Sequence, residues 1–456
     1  MLAFTLIDVA AATGGSLEGE GGARVLSVVT DTRQGCAGVL FVALRGEHSD
    51  GHRYAEDALR AGAVGVLVGS EYSGTGPLVR VPDPLTALAA LAAAARARLR
   101  AKVIAVTGSS GKTTTKDFIA AACGVERRTV ASRASYNNEI GVPLTVLSAD
   151  EDTEVLVVEV GSRGLGHIAS LAPVVGPDVA VVTNVGSAHI GMFGSIEVTA
   201  RAKSELVHAL GGGGVAVLNQ DDANVLEMAA GTGAAVVTFG RSPAADVRAQ
   251  NVTLDERACA SFSIVAGTEQ TDVVLRVPGE HMVINAVAAA AAARAVGITL
   301  HSAAAGIGGI ESAQWRMQIS DKGGRRIIND AYNANPDSTV AALKTLVSMG
   351  RGRPTWAVLG HMAELGARST VEHDLIGRLV VRLGIHRLVT VGADARPIHE
   401  AARLEGLQPE EATFVPDADA AIRLLRDSLE ADAVVLVKAS RAAGLERVAA
   451  ALGDAE

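Results

Sequence analysis

The stretch Val103-Ile-Ala-Val-Thr-Gly108-Ser-Ser-Gly111-Lys112-Thr113-Thr114-Thr115 constrains the fold more than any other part of this chain. A short apolar run ending in a glycine turn that opens into a helix reads as a buried parallel strand feeding a phosphate-binding loop. The glycines let backbone N–H groups face an anion, and the helix offers its positive N-terminal end to the same anion. Lys112 would neutralise the β- and γ-phosphates of a nucleotide, and the Thr113 hydroxyl would coordinate Mg2+. Gly108, Ser109, Ser110, Gly111 and Thr114 would complete the cradle. The eight-residue form of such loops has glycine where this chain has Val106, so the match is to the shorter GxxGKT form.

The rest of the chain agrees with a parallel sheet. After the loop, the apolar runs VLVVEVG, VAVVTNVG, VAVLN and AVVTFG alternate with helix-length stretches as far as about Ile310. That is the βαβ rhythm of a doubly wound sheet. Residues from about Asp246 to Val277 break it and read as a few antiparallel strands. Upstream, residues 1–84 read as a small α/β domain, followed by a linker helix of Ala, Leu and Arg over 85–100. After Trp315 the rhythm restarts with RIINDAYNANP, TWAVLGHM, RLVTVGAD and AVVLVKASR. The expectation is therefore α/β with three domains, 1–84, 101–312 and 313–456, the last Rossmann-like. A length of 456 residues, too long for one core, fits that division.

Composition narrows the setting. Apolar residues make up 48% and aromatic ones 3%, so Ala, Val, Leu and Gly must fill the interior, as closely packed α/β layers allow. A net charge of −9 argues against a protein that coats nucleic-acid backbones, although a local basic pocket can still hold an anionic substrate. Cys36, Cys123 and Cys259 lie far apart with no CxxC pair, which indicates neither a disulfide framework nor a zinc site. The Ala-rich stretch from Ala286 to Ala295 contains Arg294 and is too weakly apolar to span a membrane. The start, MLAFTLIDVAAATGG, has no basic segment before its apolar residues, so no signal peptide is expected and the cytoplasm is the expected location.

Other candidate residues stand at strand ends, where ligands of parallel sheets gather. Glu159 follows VLVV and offers a hard oxygen ligand for Mg2+, or else caps a neighbouring helix. His189 follows VAVVTNV, and Lys203 lies in TARAKSELVHAL, a helix starting near Ile196; alone, they read as a loop histidine and a solvated lysine. Asn137 and Asn138 in SYNNEIGVPLT could simply cap a helix. Later in the chain, Arg316 follows Trp315, and Asp330, Asn333, Asn335 and Ser338 crowd one loop. A helix N-cap at Asp337 or Ser338 accounts for part of that loop but not all of it. Lys438, Ser440 and Arg441 form a basic cluster at another strand end.

TGSSGKTTTK, YNNEIGVP, the Glu159 strand, TNVGSAHIGMFGS, AKSEL, PGEHMVINAVAAAA, DAYNANPDS, LGHMAELG and VLVKASR occur in an order that resembles the Mur ligases, over nearly the whole chain. YNANP and the LG-x-M-x-ELG form look like the branch of that family that joins D-alanyl-D-alanine to UDP-N-acetylmuramoyl-tripeptide. The resemblance implies an ATP-dependent ligase of peptidoglycan precursor synthesis, working through an acyl phosphate. It implies Lys203 as a CO2-derived carbamate helping His189 hold a second Mg2+, with Glu159 and Thr113 on the first. It makes Asn285 an adenine contact, and Asn138, Arg316 and Asp330 further nucleotide contacts. Asn333, Asn335, Lys438, Ser440 and Arg441 become substrate contacts of the closing third domain. In the first domain, Asp31, Thr32 and Arg33, then Arg45 and Gly46, with His52 nearby, resemble segments that bind the uridine diphosphate. Three positions depart from the family pattern: His361 for Asp, Ala439 for Gly and Met282 for Asn. A monomer without a nucleic-acid partner is expected. The competing readings are another amino-acid ligase on the same scaffold, and a P-loop regulatory ATPase without ligation chemistry.

Overall fold

A computed structural model of the chain describes residues 1–46, 49–186 and 190–453. It contains three main sheets, in the α/β architecture expected. The first has five strands in the order Ser16–Glu18, Leu78–Val81, Gly65–Gly69, Val39–Val42 and Ser27–Val29. All its pairings are parallel except the one between Ser16–Glu18 and Leu78–Val81.

The linker helix runs Pro84–Arg98. Asp83 caps it by accepting the N–H groups of Leu85 and Thr86, and Pro84 stands in the first turn, where its missing N–H costs nothing. Ala87, Leu88, Leu91, Ala92 and Ala95 form its buried side. They join one apolar cluster that runs from Leu40 and Val42 of the first sheet to Val103 and Ala105 of the second. Arg96 fastens the far end by donating to the carbonyls of Val175 and Gly176. The linker is thus a shared wall, not a free tether.

The second sheet has nine strands. Lys102–Thr107 lies in its parallel part, between Val155–Glu159 on one side and Val179–Val182 on the other. Chain order reverses at this strand, so the crevice beyond its carboxyl end is a topological switch point. The expected antiparallel edge is present as Val247–Leu254, Cys259–Ala266 and Glu269–Pro278. Helices Lys112–Gly124, Met282–Ala295 and Leu300–Gly308 cover one face, while Gly141–Ser148, His167–Val175 and Ile196–His208 lie with the linker on the other. Met282–Ala295 is buried nearly all round, and its alanines, Ala286 to Ala293, let it approach its neighbours closely.

The third sheet has six strands, four central parallel ones flanked by Ala412–Val415 and by the antiparallel Gln318–Lys322. Gln318–Lys322 is absent from the sequence reading. It forms a hairpin with Arg325–Asn329 through Gly323 and Gly324, both at positive φ, as a tight two-residue turn requires.

Candidate active site

Val103 to Val106 are fully buried, which fixes where the chain must leave the second sheet. Gly108 turns at φ 151°, and a Cβ there would lie 1.8 Å from Thr183 Oγ1. Gly111, at φ 78°, is the N-cap of Lys112–Gly124 and supplies no side-chain acceptor. The first amides of that helix therefore keep their donors for an anion. Asn184 shapes the turn from the neighbouring strand end: its Oδ1 accepts from Ser110 N at 2.9 Å, and its carbonyl accepts from Ser109 N at 3.0 Å. The Lys112 ammonium curls over the loop onto the Gly108 carbonyl at 2.7 Å. Burial pushes its pKa down, against the pull of Glu159.

The loop opens on a cavity of about 580 Å³ whose opposite wall comes from the third domain. On the loop's side the lining holds Ser109, Ser110, Gly111, Lys112, Thr113, Thr114, Asn138, Glu159 and Asn285. Facing them are Arg316, Asp330, Asn333, Asn335 and Lys438. Glu159 is 1% exposed; its Oε1 accepts from Asn137 Nδ2 at 2.7 Å, and its Oε2 is buried with no hydrogen-bond partner. An orphaned carboxylate oxygen is costly unless something cationic completes it. Among the described residues no group of three His, Cys, Asp or Glu side chains converges as a ready-made metal cage. Glu159 and the Thr113 hydroxyl nevertheless fit the usual mode of Mg2+, which takes one or two protein oxygens and completes its shell with phosphate and water.

Across the cavity, Lys438 is 2% exposed and its ammonium lies 2.6 Å from Asp330 Oδ2 and 3.0 Å from the Asn333 carbonyl. Asp330 Oδ1 accepts from Met317 N. The Arg316 guanidinium lies 4.0 Å above the Tyr332 ring and donates to Ser135 Oγ at 2.9 Å. The N-cap of Pro336–Met349 is Asn335, in a reciprocal capping box with Ser338, rather than Asp337 or Ser338 as the sequence suggested. Pro336 occupies the first helical position, which moves the cap to the residue before it.

Lys203 is not part of the cavity lining; it is buried in Ile196–His208, 5.8 Å from the Phe193 ring centroid. Burial, reinforced by the Lys112 charge, holds its pKa well below the usual lysine range. His189 lies outside the described residues. Ser440 and Arg441 also stand off the cavity. Ser440 is buried and joins the Ala334 carbonyl to Ala363 N, while Arg441 covers the Trp315 ring.

The first-domain residues lie apart from this lining. Asp31 caps the turn Thr32–Gln34 and pairs with Arg33 at 2.6 Å, Arg45 pairs with Glu71, and Gly46 N donates to the Ser49 carbonyl. His52 Nε2 accepts from Gly69 N and Nδ1 lies 2.6 Å from Asp50 Oδ1, so both ring nitrogens are engaged.

Of the three departures, only Met282 meets the cavity, where its sulfur accepts from Asn285 Nδ2 at 3.8 Å. His361 stacks on buried His373, with ring centroids 5.1 Å apart. Sequence reasoning missed Ser135, Ser162, Arg163, His167, Asn184, His281, Tyr332 and Glu364, and took Asp337 only as a helix cap; all of them line the cavity. Asn184 sits at a strand end and could have been found from its position. Ser135 carries no local signal, since its partner Arg316 is distant in sequence.

A phosphate-binding loop at the switch point of a doubly wound sheet, walled by a second α/β domain, defines a P-loop nucleotide-dependent enzyme whose site lies between domains. The chain belongs to the Mur ligase family: the Mur ligase middle domain matches residues 106–293, and the Mur ligase, glutamate ligase domain matches residues 315–441. UDP-N-acetylmuramoyl-tripeptide–D-alanyl-D-alanine ligase of Mycobacterium tuberculosis (strain H37Rv) is 41% identical, over 99% of this chain and 98% of that protein. The ligase of the same name from Escherichia coli K12 is 34% identical, over 100% and 99%. The crystal structure of MurF from Acinetobacter baumannii superimposes with a TM-score of 0.90 at 30% identity, covering 99% of each chain. MurF ligase of Thermotoga maritima in complex with ADP gives 0.82 at 26% identity, over 94% of this chain and 97% of that one.

Proposed function

We infer that this chain is the ATP-dependent ligase that joins D-alanyl-D-alanine to UDP-N-acetylmuramoyl-tripeptide in peptidoglycan precursor synthesis. The observation that carries this reading is one cavity in which Lys112 and Glu159 of the P-loop domain face Arg316, Asp330 and Lys438 of the third. The full-length likeness to ligases bearing that name supports it.

A carboxylate does not acylate an amine at neutral pH, because its oxygen is a poor leaving group. The tripeptide carboxylate attacks the γ-phosphorus of ATP, ADP leaves, and an acyl phosphate results. The dipeptide amine then attacks the acyl carbon, loses its proton, and phosphate leaves. Two anions meet in the first step, so the protein must neutralise charge and align reactants. Lys112 and the free amides at the start of Lys112–Gly124 face the phosphates. Arg316, Asp330 and Lys438 close the other side, and closure keeps water from the acyl phosphate.

Mg2+, two ions in this reading, would act as Lewis acid and template, held by Thr113 and Glu159 and by His189 with Lys203. The depressed pKa of Lys203 supports its carbamate: a neutral amine nitrogen attacks CO2, the C–N bond forms, and a proton is released. Asn138 and Asn285 contact the nucleotide. Asn333, Asn335, Ser440 and Arg441 serve the closing domain. Asp31, Thr32, Arg33, Arg45, Gly46 and His52 hold the uridine diphosphate. The domains are 1–84, 101–312 and 313–456, joined by the helix over 85–100, and the enzyme acts as a cytoplasmic monomer. Among the described residues no helix is long and apolar enough to cross a membrane.

The test is phosphate release from ATP with UDP-N-acetylmuramoyl-tripeptide, offering D-alanyl-D-alanine, D-alanine, lysine or glutamate in turn. Release that requires the dipeptide, and is abolished in Lys112→Ala, is expected. Release independent of every amine would mean a regulatory ATPase instead.

A further inference from the structure

Ser135 lies in the loop between Thr129–Ala131 and Gly141–Ser148, half-buried, and its hydroxyl joins two walls of the cavity. On one side it accepts from the Arg316 guanidinium at 2.9 Å, and on the other it lies 3.1 Å from Thr113 Oγ1. We propose that Ser135 is a positioning residue that couples docking of Arg316, from the third domain, to the hydroxyl of Thr113 on the phosphate loop. The proposal rests on the nucleotide reading of this cavity.

The chemistry follows from what a serine hydroxyl holds, one proton and two lone pairs. The Arg316 N–H occupies one lone pair. If Thr113 turns an oxygen lone pair toward a cation, its own proton must point elsewhere, and the second lone pair of Ser135 is within reach. Ser135 can then accept from both partners at once. Arg316 is also held by the Tyr332 ring beneath it, so the guanidinium is aimed from below and fixed at its tip by Ser135. No second hydroxyl contacts both groups among the described residues.

The experiment measures Mg·ADP affinity by titration calorimetry for the wild type, Ser135→Ala, Arg316→Ala and the double variant. Melting temperatures check that each is folded. Ser135→Ala should weaken binding roughly 10-fold, the usual loss for a hydrogen bond to a charged group. The double variant should bind no more than about threefold more weakly than Arg316→Ala, because both substitutions remove one bond. Ser135→Ala binding within twofold of the wild type, or losses that multiply in the double variant, would overturn the proposal. Wild-type protein that binds Mg·ADP tightly but never releases phosphate in a dipeptide-dependent way would refute the ligase reading alone, and the cycle would still report on Ser135.

Discussion

Replacing Lys438 by methionine isolates the most deeply buried ion pair described in the third domain. The ammonium is 2.6 Å from Asp330 Oδ2, with the two side chains 2% and 13% exposed. At that separation the gross attraction is about 6 kcal/mol for an effective dielectric near 20, but withdrawing both charges from water offsets most of it. The single substitution does not recover that cost. It leaves the Asp330 carboxylate in place with the Met317 amide as its described donor. Stranding one member of a buried pair costs about 3–5 kcal/mol. For a domain of this size, ~3 kcal/mol corresponds to a melting temperature lower by roughly 10 °C. The assay is simple, because the chain has two tryptophans, Trp315 and Trp356, and both belong to the third domain. Tryptophan fluorescence during heating, excited at a wavelength the four tyrosines do not absorb, therefore reports on that domain. Asp330→Leu combined with Lys438→Met should recover much of the loss, since an apolar pair strands no charge. A single variant melting within about 2 °C of the wild type, or a double variant no better than the single, would refute the reasoning.

Burial holds the His281 imidazole neutral, its pKa pushed down to about 4, with Asp330 opposing and Lys438 adding to the effect. The unfolded chain binds a proton below about pH 6.5 that the folded one refuses, so stability is full above that pH and falls toward pH 4. In His281→Gln the difference in melting temperature between pH 7 and pH 5 should shrink, and an unchanged difference would count against this. Lys203→Ala should lose at least ~100-fold in phosphate release, the scale of losing one Lewis acid. Wild-type enzyme given 13C-bicarbonate should show a carbamate carbon resonance that the variant lacks; no such resonance in active wild-type protein would remove the CO2 adduct.

The parts of the site legible in the sequence are those set by local spacing. A strand, a glycine turn and a helix in immediate succession define the phosphate loop without help from elsewhere, and Glu159 and Asp330 were visible because they end apolar runs. The hairpin at Gly323 and Gly324 was missed although a Gly-Gly pair is a sound turn signal, because Gln318–Lys322 is mostly polar and exposed. Ser135 and His281 could not be found this way. Their environment is created by the third domain folding back against the second, which spacing along the chain does not encode.

The departure at Ala439 shows how a doubtful position resolves once neighbours in space are known. Alanine in place of glycine would matter if the backbone there were left-handed, but Ala439 is not among the non-glycine residues at positive φ. The tight position is Gly360, at the end of the neighbouring parallel strand, where the Gly360 amide donates to the Lys438 carbonyl. A Cβ at Gly360 would lie 2.7 Å from the Ala439 methyl and 3.0 Å from Leu445 Cδ1. Space for one side-chain carbon exists between these strand ends, and this chain fills it from residue 439. Because Ala439 is fully buried, that methyl packs into the apolar cluster that also holds Trp356, Val437 and Leu445. Relative to the family pattern, the departure therefore adds one buried methyl beside Gly360, at a backbone position that any residue can adopt.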